Sequence, residues 1–161
     1  MAVPIDLSKI VLKEYFFLEL AVLNNAPETI QTPVPMGNVS VERLMATGFA
    51  AEESFIEVAL KFVVTPHDAD QNPLPVQGRF HLVMRFTVID LAEQLKGSFG
   101  LEGLRPGQEL VYTVVGLAYS TARGLLLDRT RDTVLNGFSL PAVDVRNLTW
   151  NLGKPPVGIL P

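Results

Sequence analysis

Apolar and polar positions alternate with a period of two in several stretches of this chain, and recur at spacings of three and four in one later stretch. From Ile10 to Leu23, Ile10, Leu12, Phe16, Leu18, Leu20 and Val22 fall on one face of an extended strand, with Lys13, Tyr15, Phe17 and Glu19 on the other. Large apolar groups stand on both sides, so this strand is apolar on more than one face. Asn24-Asn25-Ala26-Pro27 ends it. Residues 27–38, PETIQTPVPMGN, hold three prolines and a glycine and predict a long crossover loop. Between Val39 and Thr65 two apolar stretches, VSVERLMATGF and FIEVALKFVV, flank Ala50-Ala51-Glu52-Glu53-Ser54, giving either two strands or one bent strand.

The second of these stretches puts Ile56, Val58, Leu60, Phe62 and Val64 on one face and Glu57 and Lys61 on the other, as an antiparallel strand with one wetter face does. The same alternation returns from Gln77 to Asp90, with Phe80, Leu82, Met84, Phe86 and Val88 opposed by Arg79, His81, Arg85 and Thr87. PHDADQNP, rich in turn residues, joins the two strands as a hairpin. Leu91 to Lys96 has room for one helical turn, and the glycine-broken GSFGLEGLRPG that follows reads as a mobile connector.

From Gln108 the period changes. Leu110, Val111, Val114, Val115, Ala118, Ala122, Leu125 and Leu126 make the buried stripe of a helix that starts after Pro106-Gly107 and stops at Asn136-Gly137. Residues 149–161 form a Pro/Gly-rich C-terminal arm. Strand, long loop, about three antiparallel strands and one major helix describe an α+β fold with the helix on one face of the sheet.

Composition narrows the function classes. At 161 residues one domain, 1–161, is the default, and mean hydropathy of +0.28 with 19% charged residues means the chain buries its apolar surface or shares it. The longest apolar run, Tyr15 to Leu23, is too short for a membrane span and carries Glu19, and the N-terminus lacks a secretory pattern, so a cytoplasmic protein is expected. The absence of cysteine excludes disulfides and thiolate chemistry. A net charge of −4 disfavours nucleic acid.

Candidate chemistry changes the picture little. His67 lies in a turn and His81 on a strand, and neither has partners at a spacing that would make a metal site or a general base. His67-Asp68-Ala69-Asp70 reads as a polar turn, and GSFGLEG has neither the spacing of a phosphate loop nor a nucleophile elbow. No catalytic residues, metal or cofactor are expected, and the chain is read as a non-enzyme. What stands out is surplus apolar surface: Tyr15 and Phe17 on the first strand, and Ile30, Val34 and Met36 in a loop expected to be exposed. These residues either pack in an oligomer interface or under the loop, or they capture another polypeptide.

The segment from Ala122 to Leu148, ARGLLLDRTRDTVLNGFSLPAVDVRNL, resembles the SecB family of protein-export chaperones through Ala122-Arg123, Gly137-Phe138, Leu140, Val143-Asp144-Val145 and Leu148. Leu23-Asn24-Asn25-Ala26-Pro27 is similar to the end of the family's first strand, and Phe55 to Thr65 to its second. The resemblance implies a four-stranded antiparallel sheet backed by a helix, assembled as a homotetrameric dimer of dimers. It implies an ATP-independent holdase that keeps unfolded precursors competent for export in apolar grooves. Carried over by position, the groove takes Ile30, Val34, Met36, Val39, Val41, Phe138 and Leu140, and an export ATPase would dock near Glu14 and Glu19. The family's long second helix and acidic tail have no counterpart in the Pro/Gly arm. That departure brings in a chaperone dedicated to one partner, such as an antitoxin. A non-catalytic oligomeric assembly protein is the further alternative.

Overall fold

The computed structural model describes residues 5–30, 33–34, 38–96, 99–100, 103–104, 107–147 and 151–152. After a 3-10 turn at Leu7–Lys9, β1 runs Ile10–Asn24, β2 Val39–Ala50, β3 Phe55–Pro66 and β4 Val76–Val88. A six-residue helix, α1 (Leu91–Lys96), precedes two short strands, β5 (Phe99–Gly100) and β6 (Gly103–Leu104); α2 spans Gln108–Arg129 and β7 is Asn151–Leu152. The region from Val39 to Thr65 is therefore two strands, turned at residues 51–54, where Ser54 adopts φ 55°. The glycine-rich connector is partly regular, since Phe99 pairs with Leu104 and Gly100 with Gly103.

The sheet order is β1-β4-β3-β2-β7, antiparallel except where β7 runs parallel to β2. β2, β3 and β4 form a meander of hairpins, because turns of the kind found at Asp68 and Asn72 reverse the chain within a few residues. Asp68 accepts the backbone N–H of Asp70 and of Asn72, both at 2.9 Å. These bonds hold its carboxyl below the ordinary carboxylate range. β1 instead lies on β4 at the far edge, so the loop after it must cross the width of the sheet.

The core lies between the sheet and α2. Ile56, Val58, Leu60, Phe62 and Val64 of β3 and Phe80, Leu82, Met84, Phe86 and Val88 of β4 are buried, and the register sets these two rows side by side. Against them α2 buries Leu110, Val111, Val114, Val115, Ala118, Tyr119, Ala122 and Leu126. Tyr119 meets Phe62 edge-to-face, ring centroids 6.1 Å apart. By length and composition α2 is apolar enough to cross a membrane, and its buried stripe is the face laid on the sheet.

The helix ends at Arg129, earlier than the predicted stop at Asn136-Gly137. Thr130 is the reason: fully buried, it turns its hydroxyl onto the Leu126 carbonyl at 2.8 Å while its N–H caps the last turn. Successive turns follow as far as Gly137, whose φ of +85° is one that glycine adopts without strain.

A second correction concerns β1. The ladder to β4 slips between Leu12 and Glu14 and again between Phe17 and Glu19, leaving Lys13 and Leu18 as bulges. Each bulge reverses the alternation. Ile10, Leu12, Tyr15, Phe17, Leu20 and Val22 therefore pair with the core-facing residues of β4, while Phe16, expected on that side, is paired with Val83 on the open face.

Candidate polypeptide-binding surface

The crossover loop is built into the molecule. The Asn24 side chain accepts the Ala26 N–H at 3.1 Å and donates to the Ile30 carbonyl at 2.7 Å, closing the loop's first turn, and the Asn25 N–H reaches the Pro75 carbonyl at 2.8 Å. Further on, the Val34 N–H donates to the Val134 carbonyl at 2.8 Å, and its side chain is only 5% exposed. The loop was expected to be exposed. Val34 enters the core instead and Ile30 packs against it half-buried, while Met36 lies outside the described residues.

The remaining groove candidates also lean inward. Val39 and Val41 face the helix side of β2 and pack half-buried on the core, while Phe138 and Leu140 are buried within it. The segment after the helix is pinned by two bonds from α2: Arg123 Nε donates to the Leu140 carbonyl at 2.8 Å and the Tyr119 hydroxyl to the Pro141 carbonyl at 2.9 Å. Burial holds the Tyr119 phenol above its ordinary pKa, and Arg43 of β2 hydrogen-bonds to it. The six described candidates are thus brought into or against one hydrophobic cluster. In this form of the chain they support a surface from beneath.

The accessible apolar groups lie elsewhere. Val11, Tyr15, Leu18, Leu20 and Leu23 are exposed along β1, and Leu44 and Phe49 along β2. The two lateral strands of the four-stranded meander and crossover therefore carry most of the surplus hydrophobicity, with Leu117 and Leu127 of α2, Leu7 and Ile89 exposed besides. Position in the sheet decides this, which alternation alone did not reveal: a side chain over a central strand is flanked on both sides, one on an edge only on one.

The sheet face away from α2 is banded. Glu14, Arg85 and Glu57 form a cross-strand ion ladder, with Arg85 donating at 2.6 Å to Glu14 and 3.0 Å to Glu57, its guanidinium 4.6 Å from the Phe55 ring centre. The next row, Phe16, Val83, Ala59 and Ala46, is apolar from β1 to β2. Beyond it Glu19 pairs with His81 in register and bridges to Arg79 at 3.0 Å. Burial, and then the charge of Lys61, lower the His81 pKa, with Glu19 opposing. Both candidate docking carboxylates, Glu14 and Glu19, are therefore engaged by arginines of β4. Among the described residues no group of three or more histidine, cysteine or acidic side chains is placed to hold a metal ion.

This architecture, a four-stranded antiparallel sheet with a crossover loop and one major helix on one face, is the SecB-like α+β fold. It is shared with a solved structure, Rv1957 of Mycobacterium tuberculosis, a SecB-like chaperone in complex with a ChAD peptide from the Rv1956 HigA1 antitoxin. The two superpose with a TM-score of 0.52 at 13% identity, over 84% of this chain and 91% of that one. A protein of unknown function from Streptococcus agalactiae aligns over 83% of this chain and 97% of its own, with a TM-score of 0.37 and 9% identity. No family model and no curated protein matches the sequence.

Proposed function

We propose that this protein is a non-catalytic chaperone that holds extended apolar segments of other polypeptides. One observation carries the reading: large apolar side chains stand exposed in rows along the outer strands of a sheet whose core is already filled. Burial of apolar area at about 25 cal/mol per Å² is non-directional, so such rows capture many sequences without reading any one of them. The SecB-like fold shared with Rv1957 supports it.

Part of the exposed surface is assigned to self-association. In a two-fold antiparallel pairing of β1 centred on Phe16, Ile10 faces Val22 of a second copy, Leu12 faces Leu20, Tyr15 faces Phe17 and Lys13 faces Glu19. The helix-side row of one copy then continues into that of the other, and the one lysine within β1 meets a carboxylate. Lys13→Glu should dissociate the assembly in sedimentation or mass measurements, and adding Glu19→Lys should restore it.

The test of the main reading is aggregation of a denatured enzyme diluted into buffer. Equimolar protein should suppress the light scattering; an unchanged aggregation rate sinks the proposal. A second reading, a chaperone dedicated to one partner, is favoured by the antitoxin peptide bound to Rv1957. Comparable affinity for many unrelated unfolded clients would count against it. Glu14 and Glu19 are already paired within the sheet, and the proposal does not extend to an export motor.

A further inference from the structure

The two edges of the long sheet are finished differently. On the side of β1 away from β4 no strand is paired among the described residues, whereas on the side of β2 away from β3 the chain lays its own Asn151–Leu152, pairing in parallel with Ala46 and Thr47. We propose that the outer edge of β2 is a slot for an extended, proline-free apolar segment of a client, and that residues 151–152 occupy it as a displaceable plug. The proposal rests on the polypeptide-binding reading above and adds to it a site and a built-in competitor.

Three features point this way. The plug covers two of the twelve residues of β2, and so short a ladder is marginal by itself. Its sequence also opposes a long ladder on the C-terminal side. Gly153 follows at once, then Lys154-Pro155-Pro156, and proline has no N–H to give to a ladder. A client strand without prolines can pair along Val39–Met45 and Gly48–Ala50 as well, whose edge away from β3 has no strand partner among the described residues.

The side chains beside the slot are of the right kind. Leu44, 57% exposed, and Phe49, 40% exposed, flank the paired residues on opposite faces of the sheet. An incoming strand directs successive side chains to alternate faces, so it finds an apolar neighbour on each, with backbone hydrogen bonds giving affinity whatever its sequence. Val39 and Val41, half-buried on the same strand, extend the helix-side row.

The experiment uses the full chain and its Leu152→Pro variant, since proline has no N–H to give to a ladder and disfavours strand pairing. Two quantities are measured: hydrogen exchange at the β2 amides around Ala46 and Thr47, and binding of a labelled ten-residue peptide of alternating valine and threonine by anisotropy. If the plug fills the slot about nine-tenths of the time, L152P should speed exchange there and tighten peptide binding by about 10-fold, because apparent affinity scales with the fraction of open sites. Unchanged exchange overturns the plug, whatever the peptide does. Faster exchange with equal or weaker peptide binding overturns the slot and leaves the polypeptide-binding reading standing. A peptide that binds neither form overturns the slot, while the polypeptide-binding reading falls only if the aggregation assay also fails.

Discussion

Val34 and Val134 are joined by a 2.8 Å backbone hydrogen bond that ties the middle of the crossover loop to the segment after the long helix, 100 positions further along the chain. The Val34 side chain fills the core at that point. Loop, helix end and sheet are thus one packed unit. Val34→Ala should cost about 1.5–3 kcal/mol, from lost methyl burial plus a partly unrelaxed cavity. Urea unfolding measures it. A cost near zero would mean that the loop is not seated as described.

Gly78 faces the core near the start of β4, paired on both sides, with Val22 and Val64. A Cβ there would lie 2.7 Å from Leu135 Cδ1 and 2.8 Å from Phe80 Cε2, and both neighbours are fully buried. Gly78→Ala should therefore destabilise by about 1–3 kcal/mol despite the better strand propensity of alanine. Adding Leu135→Val should recover part of that loss in the same melt.

Arg85 bridges two carboxylates from strands on either side of β4. Removing it leaves Glu14 and Glu57 facing each other across a partly buried row. Arg85→Ala should lower stability by about 1–2 kcal/mol, discounted for the exposure of Glu14. In the Glu57→Gln background the same substitution should cost less, and a double-mutant cycle measures the difference.

His81 provides a pH dependence with a definite sign. Its folded pKa lies below the ordinary 6.5, chiefly through burial and then through Lys61. Between the folded and unfolded pKa values the unfolded chain therefore binds the extra proton. Its contribution to stability is complete above 6.5 and is lost as pH falls from there through the folded value. His81→Gln should flatten the urea midpoint over that interval. An equally steep dependence in the variant would place the titration elsewhere.

The fold was legible where periodicity and position agree. β3 and β4 alternate without interruption and lie centrally, so their apolar faces are the core faces. The stripe on α2 was equally plain, apart from Tyr119, whose apolar ring is buried while its hydroxyl serves Pro141. β1 misled because bulges conserve composition and reverse parity. A signal was present: Glu14 and Glu19 are five apart, yet their partners Arg85 and Arg79 are six apart, and both pairs meet on one face only if the first strand slips.

The candidate surface was less legible for a different reason. Ile30, Val34, Phe138 and Leu140 stand in proline- and glycine-rich stretches, where an apolar residue reads as exposed unless its anchors are known. Those anchors are backbone carbonyls, at Val134, Leu140 and Pro141, and a carbonyl is present at every position of every sequence. The parallel pairing of residues 151–152 with β2 was hidden likewise, since a two-residue strand has no period to detect.

The place of β1 beside β4 also sets a schedule. The meander of β2, β3 and β4 can close hairpin by hairpin as it is made, but β1 has to wait until residue 88 exists. At about 5–20 residues per second, the roughly 60 residues between take on the order of 3–12 s of synthesis. For that interval a fifteen-residue apolar strand has no mate. Each newborn copy is thus briefly the kind of client that the finished protein is proposed to hold, and older copies are well placed to receive it.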